Sequence, residues 1–324
     1  MKRITGEKVR VITTVGQHGA MGGAVHGPTQ YIFAGSYCDP ANEAELVAIR
    51  NNKITRKRIK PHGRRLESIF DFCDFDENHL LMSLESGGGS PGELHTLNVH
   101  TLETNFLTTL AVGRVHSGAF HAQVLDGDPT VVGGGEFWSR RHGKTPNWKN
   151  TRLYLKGAFY FGGQRYIYGY DLDRDQGGWL ADLPGWPWQS LGAKMRPMFA
   201  AVRPDGKVLG VPLIRNFSMD TYAGLASYCI IKNGQHHHCR KHWPEYKTTP
   251  SGLWVDNRDF LIGYSDKWRG SGSSAIVRHS GDLNNPEIIF KCDEAEMRAI
   301  RILKDVGVVL FTREENKGGK IYLL

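Results

Sequence analysis

The sequence predicts an all-β fold, and three observations favour it. Glycine accounts for 39 of the 324 residues and falls at intervals along the chain, which is typical of a structure with many turns. Short runs rich in β-branched and aromatic residues, such as residues 307–311, are frequent, whereas apolar residues at helical spacing are rare. One pattern of short strands also recurs six times. We therefore expect antiparallel strands throughout the chain and little helix.

The repeated pattern consists of an apolar strand, a tight polar turn, a second apolar strand, a longer polar loop and a third strand. The turns between the first two strands contain Asp, Asn, Gly or Pro, as tight hairpins require. The first strands are predicted at residues 22–25, 66–72, 118–122, 197–202, 252–255 and 299–303. The second strands are predicted at residues 31–34, 80–84, 130–133, 207–211, 259–263 and 308–312. The third strands are predicted at residues 45–49, 94–99, 165–170, 226–231, 274–277 and 320–324.

The last copy differs from the others because it ends after three strands. The other copies carry a fourth strand, such as residues 286–290 of the fifth copy. Residues 9–14 form an apolar run at the opposite end of the chain that belongs to no copy. We expect this N-terminal strand to complete the sixth copy.

Six four-stranded units, one of them completed from both ends of the chain, resemble a six-bladed β-propeller. The resemblance rests on the geometry of the repeat, since the sequence contains no Trp-Asp blade ending, kelch double-glycine pattern or sialidase box. It implies a single domain over residues 1–324 whose ring is closed by the N-terminal strand. A two-domain β protein is the structural alternative.

The propeller resemblance also implies which face carries long loops. The loop between the second and third strands is long in each copy, and in the third copy it extends over about residues 136–164. Long loops in a compact domain are often functional, and this one contains seven large aromatic residues. We expect an insertion that binds a partner or covers a central pocket. Packing of the insertion on its own blade is the alternative.

Basic side chains are expected on the same face, close to the centre of the ring. A planar guanidinium group suits carboxylate, phosphate or sulfate ligands, although each arginine could instead pair with an acidic neighbour. The basic candidates are Arg64, Arg65, His116, Arg196, Arg215, Arg298 and Arg313. The other predicted binding residues are Glu136, Trp138, Trp148, Asp266 and Trp268.

Motifs for metals, cofactors and hydrolysis are weak in this sequence. Residues 88–92 match Gly-x-Ser-x-Gly, but a proline follows the serine and no strand-to-helix turn is predicted there. The His236–Cys239 run with His242 offers zinc-type ligands without a second pair. Asp171, Asp173 and Asp175 alternate as in a calcium loop, but their glycine is misplaced and turn capping explains them better. We predict no metal and no cofactor.

Cysteine content and charge suggest a cytoplasmic protein with an acidic partner. The chain has five widely spaced cysteines, which favours reduced thiols, and no apolar stretch approaches the ~20 residues of a membrane helix. The net charge is +8. Its densest basic run, residues 53–65, is predicted on an outer strand and the loop that follows. An acidic protein explains this run as well as nucleic acid does, and direct nucleic-acid recognition is the weaker alternative.

Two classes of function are consistent with these features. The first is a non-enzymatic scaffold that binds protein subunits through the long-loop face and the aromatic insertion, for example in a viral tail or virion. The second is an enzyme or lectin that acts on acidic glycans, with arginines holding the sugar acids and tryptophans stacking on the rings. Its acid and base would come from Tyr37, Glu85, His116, Glu136 and Asp266.

Overall fold

The computed structural model confirms the all-β prediction for the residues that it describes. All regular secondary structure in these residues is β-strand, and none of them belongs to a helix long and apolar enough to cross a membrane. The described residues are 10–15, 20–26, 30–36, 44–51, 53–59, 71–84, 92–110, 121–133, 136–144, 153–181, 188–218, 223–238, 245–266, 272–280, 286–293, 296–303, 307–313 and 319–323.

These residues form seven antiparallel sheets. The first strand, β1 (Arg10–Val15), belongs to the last sheet, and the sheets are numbered in the order in which the following strands occur along the chain. Sheet 1 contains β2 (Ala20–His26), β3 (Gln30–Ser36), β4 (Ala44–Arg50) and β5 (Lys53–Ile59). Sheet 2 contains β6 (Asp71–Asp76), β7 (His79–Leu84), β8 (Gly92–Asn98) and β9 (Thr104–Leu110). Sheet 3 contains β10 (His121–Leu125), β11 (Asp128–Gly133), β12 (Glu136–Ser139) and β13 (Gly143–Lys144).

The remaining four sheets follow along the chain in the same way, with a fifth strand in sheet 5 and a strand from the N-terminal end in sheet 7. Sheet 4 contains β14 (Leu153–Phe161), β15 (Gln164–Asp171), β16 (Gln176–Ala181) and β17 (Gln189–Ala193). Sheet 5 contains β18 (Arg196–Pro197), β19 (Ala201–Val202), β20 (Val208–Ser218), β21 (Ala223–Lys232) and β22 (Gln235–His238). Sheet 6 contains β23 (Thr248–Trp254), β24 (Asp259–Ser265), β25 (Ser274–Ser280) and β26 (Glu287–Cys292). Sheet 7 contains β27 (Glu296–Leu303), β28 (Gly307–Arg313) and β29 (Gly319–Leu323), and β1 completes it.

The two ends of the chain meet in sheet 7, as the sequence predicted. β1 pairs antiparallel with β29, with Arg10 opposite Leu323 and Val15 opposite Gly319. The sheet therefore has the order β1-β29-β28-β27. Three strands from the C-terminal end and one from the N-terminal end make up this four-stranded sheet.

The prediction of six four-stranded units is wrong, because the described residues form seven sheets, of which six have four strands and sheet 5 has five. The missing sheet lies in the segment predicted as a loop insertion at residues 136–164. That segment contains β12 and β13 of sheet 3 and then β14 of sheet 4. The strand at residues 165–170, predicted as the third strand of its copy, is the second strand of sheet 4. β12 and β13 have only four and two residues, which is too short for a clear strand pattern.

Successive sheets contact each other through their first strands. The contacts run from β2 to β6, β10, β14, β19, β23 and β27 in that order, and β27 also contacts β2. We call these seven first strands, counting β18 and β19 as one, the inner strands. We call the strand at the opposite edge of each sheet the outer strand. The outer strands are β5, β9, β13, β17, β22, β26 and, in sheet 7, β1. Of these, β5 and β9 are largely exposed.

Apolar side chains fill the space between neighbouring sheets. Leu80 and Met82 of sheet 2 pack with Ile32 and Leu46 of sheet 1, and similar clusters join the later sheets. Because the middle strands are covered on both faces, β7 and β8 are almost continuously buried. This explains why β7 is a largely apolar run without the alternation of a half-exposed strand. In β8 the buried polar residues Glu93 and His95 form a hydrogen bond with each other.

Two hairpin turns show how the glycines set the strand pairing. Asp126 and Gly127 join β10 to β11 with φ angles of 49° and 68°. Asn233 and Gly234 join β21 to β22 with φ angles of 51° and 71°. Two successive residues with positive φ define the type I′ turn, which matches the twist of paired strands and favours Asn-Gly and Asp-Gly.

Removal of β1 should destabilise the whole protein, because one edge of β29 then has no strand to pair with. For a variant that begins at residue 16, we expect the midpoint of thermal unfolding to fall by on the order of 5–10 °C. A synthetic peptide of residues 8–17 should restore most of the loss when it is added in excess. An unchanged midpoint in the truncated protein would contradict the pairing of the two ends.

The buried cysteines should resist thiol reagents in the folded protein. Cys73 and Cys229 are buried and Cys292 is half-buried, and all three are free thiols, while Cys38 and Cys239 lie outside the described residues. Burial raises the pKa of Cys229 to about 12, so almost none of it is thiolate at about pH 8. We expect iodoacetamide to label Cys292 but not Cys229, with both labelled in urea, as read by peptide mass spectrometry. Equal labelling in the folded protein would contradict the packing of β21.

Candidate functional site

Asp71 joins three sheets at the inner strands. It begins β6 and is 3% exposed. One carboxylate oxygen, Oδ2, accepts a hydrogen bond from the backbone N–H of Ala122 in sheet 3 at 3.2 Å. The other, Oδ1, accepts from Phe72 N and from Arg301 Nη2 of sheet 7, each at 3.1 Å. The inner strand of sheet 1 contacts the inner strands of both sheet 2 and sheet 7. The Asp71–Arg301 ion pair therefore connects sheet 2 with sheet 7, although sheet 1 lies between them in the order of contacts.

Other side chains also bind backbone groups of an adjacent inner strand. An inner strand pairs with a neighbouring strand of its own sheet on one edge only, and its remaining backbone groups need other partners. The hydroxyl of Ser251 accepts a hydrogen bond from Ile300 N at 3.3 Å. The side-chain amide of Gln123 donates to Ala158 O at 2.6 Å, and the Trp254 indole donates to Ala201 O at 3.0 Å.

Tyr168 is buried between sheets 4 and 5. Burial and the Asp71 carboxylate raise its pKa, whereas the nearby Ala200 N–H and the positive charge of Arg301 lower it. Burial has the largest effect on this pKa, so the hydroxyl stays neutral. A Cβ on Gly157 would lie 2.6 Å from the Tyr168 hydroxyl oxygen, which explains why glycine occupies that position of β14.

Arg196, a predicted binding residue, is buried between sheets 4 and 5. It is 2% exposed, and its guanidinium carbon lies 4.3 Å from the centre of the Phe217 ring. Phe217 meets Tyr170 edge-on at 5.4 Å, and the Tyr170 hydroxyl donates to the carboxylate of Asp175. The sequence predicted an accessible guanidinium here, whereas the structure packs it against aromatic rings. Its role in ligand binding stays a prediction.

Trp138 does not lie on a projecting arm. It belongs to β12 and packs on the cluster that contains Cys73, Leu81 and Val131 between sheets 2 and 3. Phe159 is likewise buried between sheets 4 and 5. The expected aromatic insertion is therefore wrong for these residues, and the aromatic side chains have a packing role in two different sheets.

The other predicted binding residues are distributed over several sheets. Arg215 is half-buried in β20, one residue beyond the partner of Arg196, so these two arginines are neighbours in sheet 5. Asp266 follows β24 and donates its backbone N–H to Ser273 O at 3.0 Å. The backbones of Glu136, Arg298 and Arg313 lie in β12, β27 and β28. Five predicted residues lie outside the described part of the chain, namely Arg64, Arg65, His116, Trp148 and Trp268.

Neither candidate metal motif forms a metal site within the described residues. No group of three or more His, Cys, Asp or Glu side chains there is placed to hold a metal ion. Asp171 Oδ1 accepts hydrogen bonds from the backbone N–H groups of Asp173 and Arg174 at 3.0 and 3.2 Å, which is the expected turn capping. His236 packs on Trp179 with ring centres 5.6 Å apart. Cys239 and His242 lie outside the described residues.

Exposed positive charge is concentrated on the outer strand of sheet 1. β5 contains Lys53, Arg56, Lys57 and Arg58 and no acidic residue. Arg56 Nη1 lies 3.1 Å from Glu45 Oε2 of β4. The outer strand of sheet 2, β9, has the same length and contains no charged residue. Residues 53–59 of the predicted basic run therefore lie on an outer strand, as expected from the sequence, and residues 60–65 lie outside the described residues.

Sequence reasoning missed Asp71, Tyr168 and Arg301. The two members of the ion pair are 230 residues apart, and no local pattern links them. A signal is nevertheless present in β27, where Arg301 interrupts the apolar run Ala-Ile-Arg-Ile-Leu. A charged residue in such a strand needs a buried partner, so Arg301 could have been identified as a structural residue.

Comparison with known proteins identifies the fold. No protein-family model matches the sequence, and no curated protein matches it. A structure of YCF48 bound to a D1 peptide has a TM-score of 0.58 and 10% identity, and the match covers 98% of this chain and 94% of that one. An ulvan lyase of polysaccharide lyase family PL25 has a TM-score of 0.62 and 10% identity, with 97% and 96% covered. Sqt1 of Saccharomyces cerevisiae has a TM-score of 0.56 and 8% identity, with 97% and 100% covered.

These neighbours are β-propeller proteins. At this level of identity the likeness concerns the fold alone. The chain therefore has a β-propeller fold, and the general form of the sequence prediction is confirmed.

The Asp71–Arg301 pair should make a large contribution to stability. Asp71→Asn leaves the guanidinium without its carboxylate, and loss of one partner of a buried ion pair costs about 3–5 kcal/mol. We expect the free energy of unfolding in urea to fall by this amount. The matched control is Asp126→Asn, which breaks an exposed pair with Arg141 at 3.8 Å and should cost less than about 1 kcal/mol. Equal effects of the two substitutions would contradict the structural role of Asp71.

Proposed function

We propose that this protein is a seven-bladed β-propeller that acts as a non-enzymatic protein-binding module. In this proposal the seven sheets are the blades of one closed ring. The contact of β27 with β2 and the pairing of β1 with β29 support closure. The ion pair between Arg301 and Asp71 adds a link between the last sheet and the second.

The distribution of charge supports binding to an acidic protein. At the inner strands, the described charged side chains of Asp71 and Arg301 hold the sheets together. At the outer edge of sheet 1, four basic side chains lie on one seven-residue strand. This basic outer strand carries the proposal, because a compact patch of one sign accelerates and orients association with a partner of opposite sign.

The structural neighbours are consistent with a binding role. The YCF48 structure contains a D1 peptide, which shows that a protein of this fold holds a peptide. The narrower prediction of a viral tail or virion component gains no support from the neighbours and stays a prediction. The cytoplasmic location likewise stays a prediction.

The alternative, a glycan-directed enzyme or lectin, gains limited support from the likeness to the ulvan lyase. Three of its five candidate acid–base residues, Tyr37, Glu85 and His116, lie outside the described residues. Trp138, expected to stack on sugar rings, is half-buried against the apolar cluster between sheets 2 and 3. The protein-binding proposal is therefore the better supported of the two.

Charge reversal on β5 tests the proposed function. Lys53→Glu with Lys57→Glu should weaken binding of a fluorescent poly-glutamate peptide by roughly tenfold or more, because β5 would then carry two positive and two negative charges and its net attraction for the peptide would be lost. The control, Lys144→Glu with Lys232→Glu, makes the same change in net charge at exposed positions of sheets 3 and 5 and should change affinity by less than about twofold. Fluorescence anisotropy at fixed salt measures both.

Two results would contradict the proposal. Equal losses in the two double variants would mean that net charge alone binds the peptide. Tighter binding of a DNA duplex than of the acidic peptide at the same salt concentration, lost with the β5 variant only, would assign the basic strand to nucleic acid.

A further inference from the structure

The outer edges of the seven sheets are not equivalent. Four outer strands pair with their neighbours through an irregular register: β1, β9, β17 and β26. Two others are short, since β13 has two residues and β22 has four. Bulges and short length are common ways of blunting an exposed strand edge.

β5 has neither of these protective features. Its seven residues pair one-to-one with β4, from Lys53 opposite Arg50 to Ile59 opposite Ala44, without a register shift. Its other edge has no strand partner within the described residues. Among the outer strands described, β5 therefore presents the longest regular edge, which is a template for a further strand.

Building on the proposed protein-binding function, we propose that the partner supplies an acidic, extended segment that pairs with β5 as a fifth strand of sheet 1. Backbone hydrogen bonds along the edge would provide affinity, and the side chains of β5 would select the sequence.

The side chains of β5 define the chemistry of the added strand. Successive residues point to opposite faces, so Lys53, Thr55 and Lys57 share one face and Ile54, Arg56 and Arg58 share the other. Opposite charges across a strand pair are favourable, so an added strand would carry Asp or Glu on both faces. The Ile54 side chain is 49% exposed and offers an apolar contact for a β-branched residue.

A second copy of this chain is a poor occupant of the same edge. Pairing of β5 with β5 would place basic residues beside basic residues, and like charges opposite each other destabilise a sheet. Basic residues on an edge strand also discourage self-association. The same charges therefore exclude the chain itself and favour an acidic partner.

A peptide with blocked backbone groups separates strand pairing from simple charge attraction. The probe is a fluorescent nine-residue peptide with Glu at both odd and even positions and with Val or Thr between them, so that acidic side chains lie on both faces of the added strand. Two further peptides of equal charge carry N-methyl groups at the odd or at the even residues. Because only alternate backbone N–H groups of an added strand face β5, one methylated peptide should bind at least about tenfold more weakly and the other nearly normally.

Hydrogen exchange locates the bound peptide on the full-length protein. We expect the unmodified peptide to slow amide exchange in residues 53–59 and to leave residues 104–110 of β9 unchanged, which provides a matched outer strand. Lys53→Glu with Lys57→Glu should abolish this protection. Lys144→Glu with Lys232→Glu should preserve it.

The outcomes distinguish this inference from the function on which it rests. Loss of affinity in one methylated peptide together with protection of residues 53–59 supports strand addition. If charge reversal weakens binding but both methylated peptides bind normally, strand addition is wrong and the acidic-partner proposal stands. If charge reversal on β5 has no greater effect than its control, both are wrong.

Discussion

An inner strand of this fold can pair with a neighbouring strand on one side only, and the structure depends on how its other backbone edge is satisfied. Side chains from the preceding sheet do this: Asp71 accepts a hydrogen bond from Ala122 N, and Ser251 accepts one from Ile300 N. Each bond also fixes one sheet against the next. Polar side chains at the inner strands are thus structural, because a buried N–H group without a partner would cost about 1–3 kcal/mol.

The outer strands also have one backbone edge without a strand partner among the described residues, and this edge is protected differently. Most outer strands described are short or irregular, whereas β5 is long, regular and basic. An edge of this kind remains available for pairing, and its charge restricts which strands can pair with it. Structure and proposed function are connected in this way: the inner edges are closed within the chain, and one outer edge is left for an acidic partner.

Features set by local sequence could be predicted, and features set by distant contacts could not. Asp126-Gly127 and Asn233-Gly234 specify tight hairpins by themselves, and the apolar run of β1 indicated a strand in need of a partner. The seventh sheet was missed because β12 and β13 are too short to show a period. The Asp71–Arg301 pair joins residues 230 positions apart. Trp138 looked like a binding residue because aromatic composition does not distinguish a packed side chain from an exposed one.

Amide hydrogen exchange of the uncomplexed protein, resolved by residue with NMR, directly tests whether side chains satisfy the free backbone edges of the inner strands. Slow exchange is expected for the amides of Ala122 and Ile300, although their strands lie at a sheet edge. Fast exchange is expected for alternate amides of residues 53–59, whose outward N–H groups face solvent. Equally fast exchange of the two inner amides would contradict the closure of the inner edges by side chains. Protection of every amide in β5 would contradict an open outer edge.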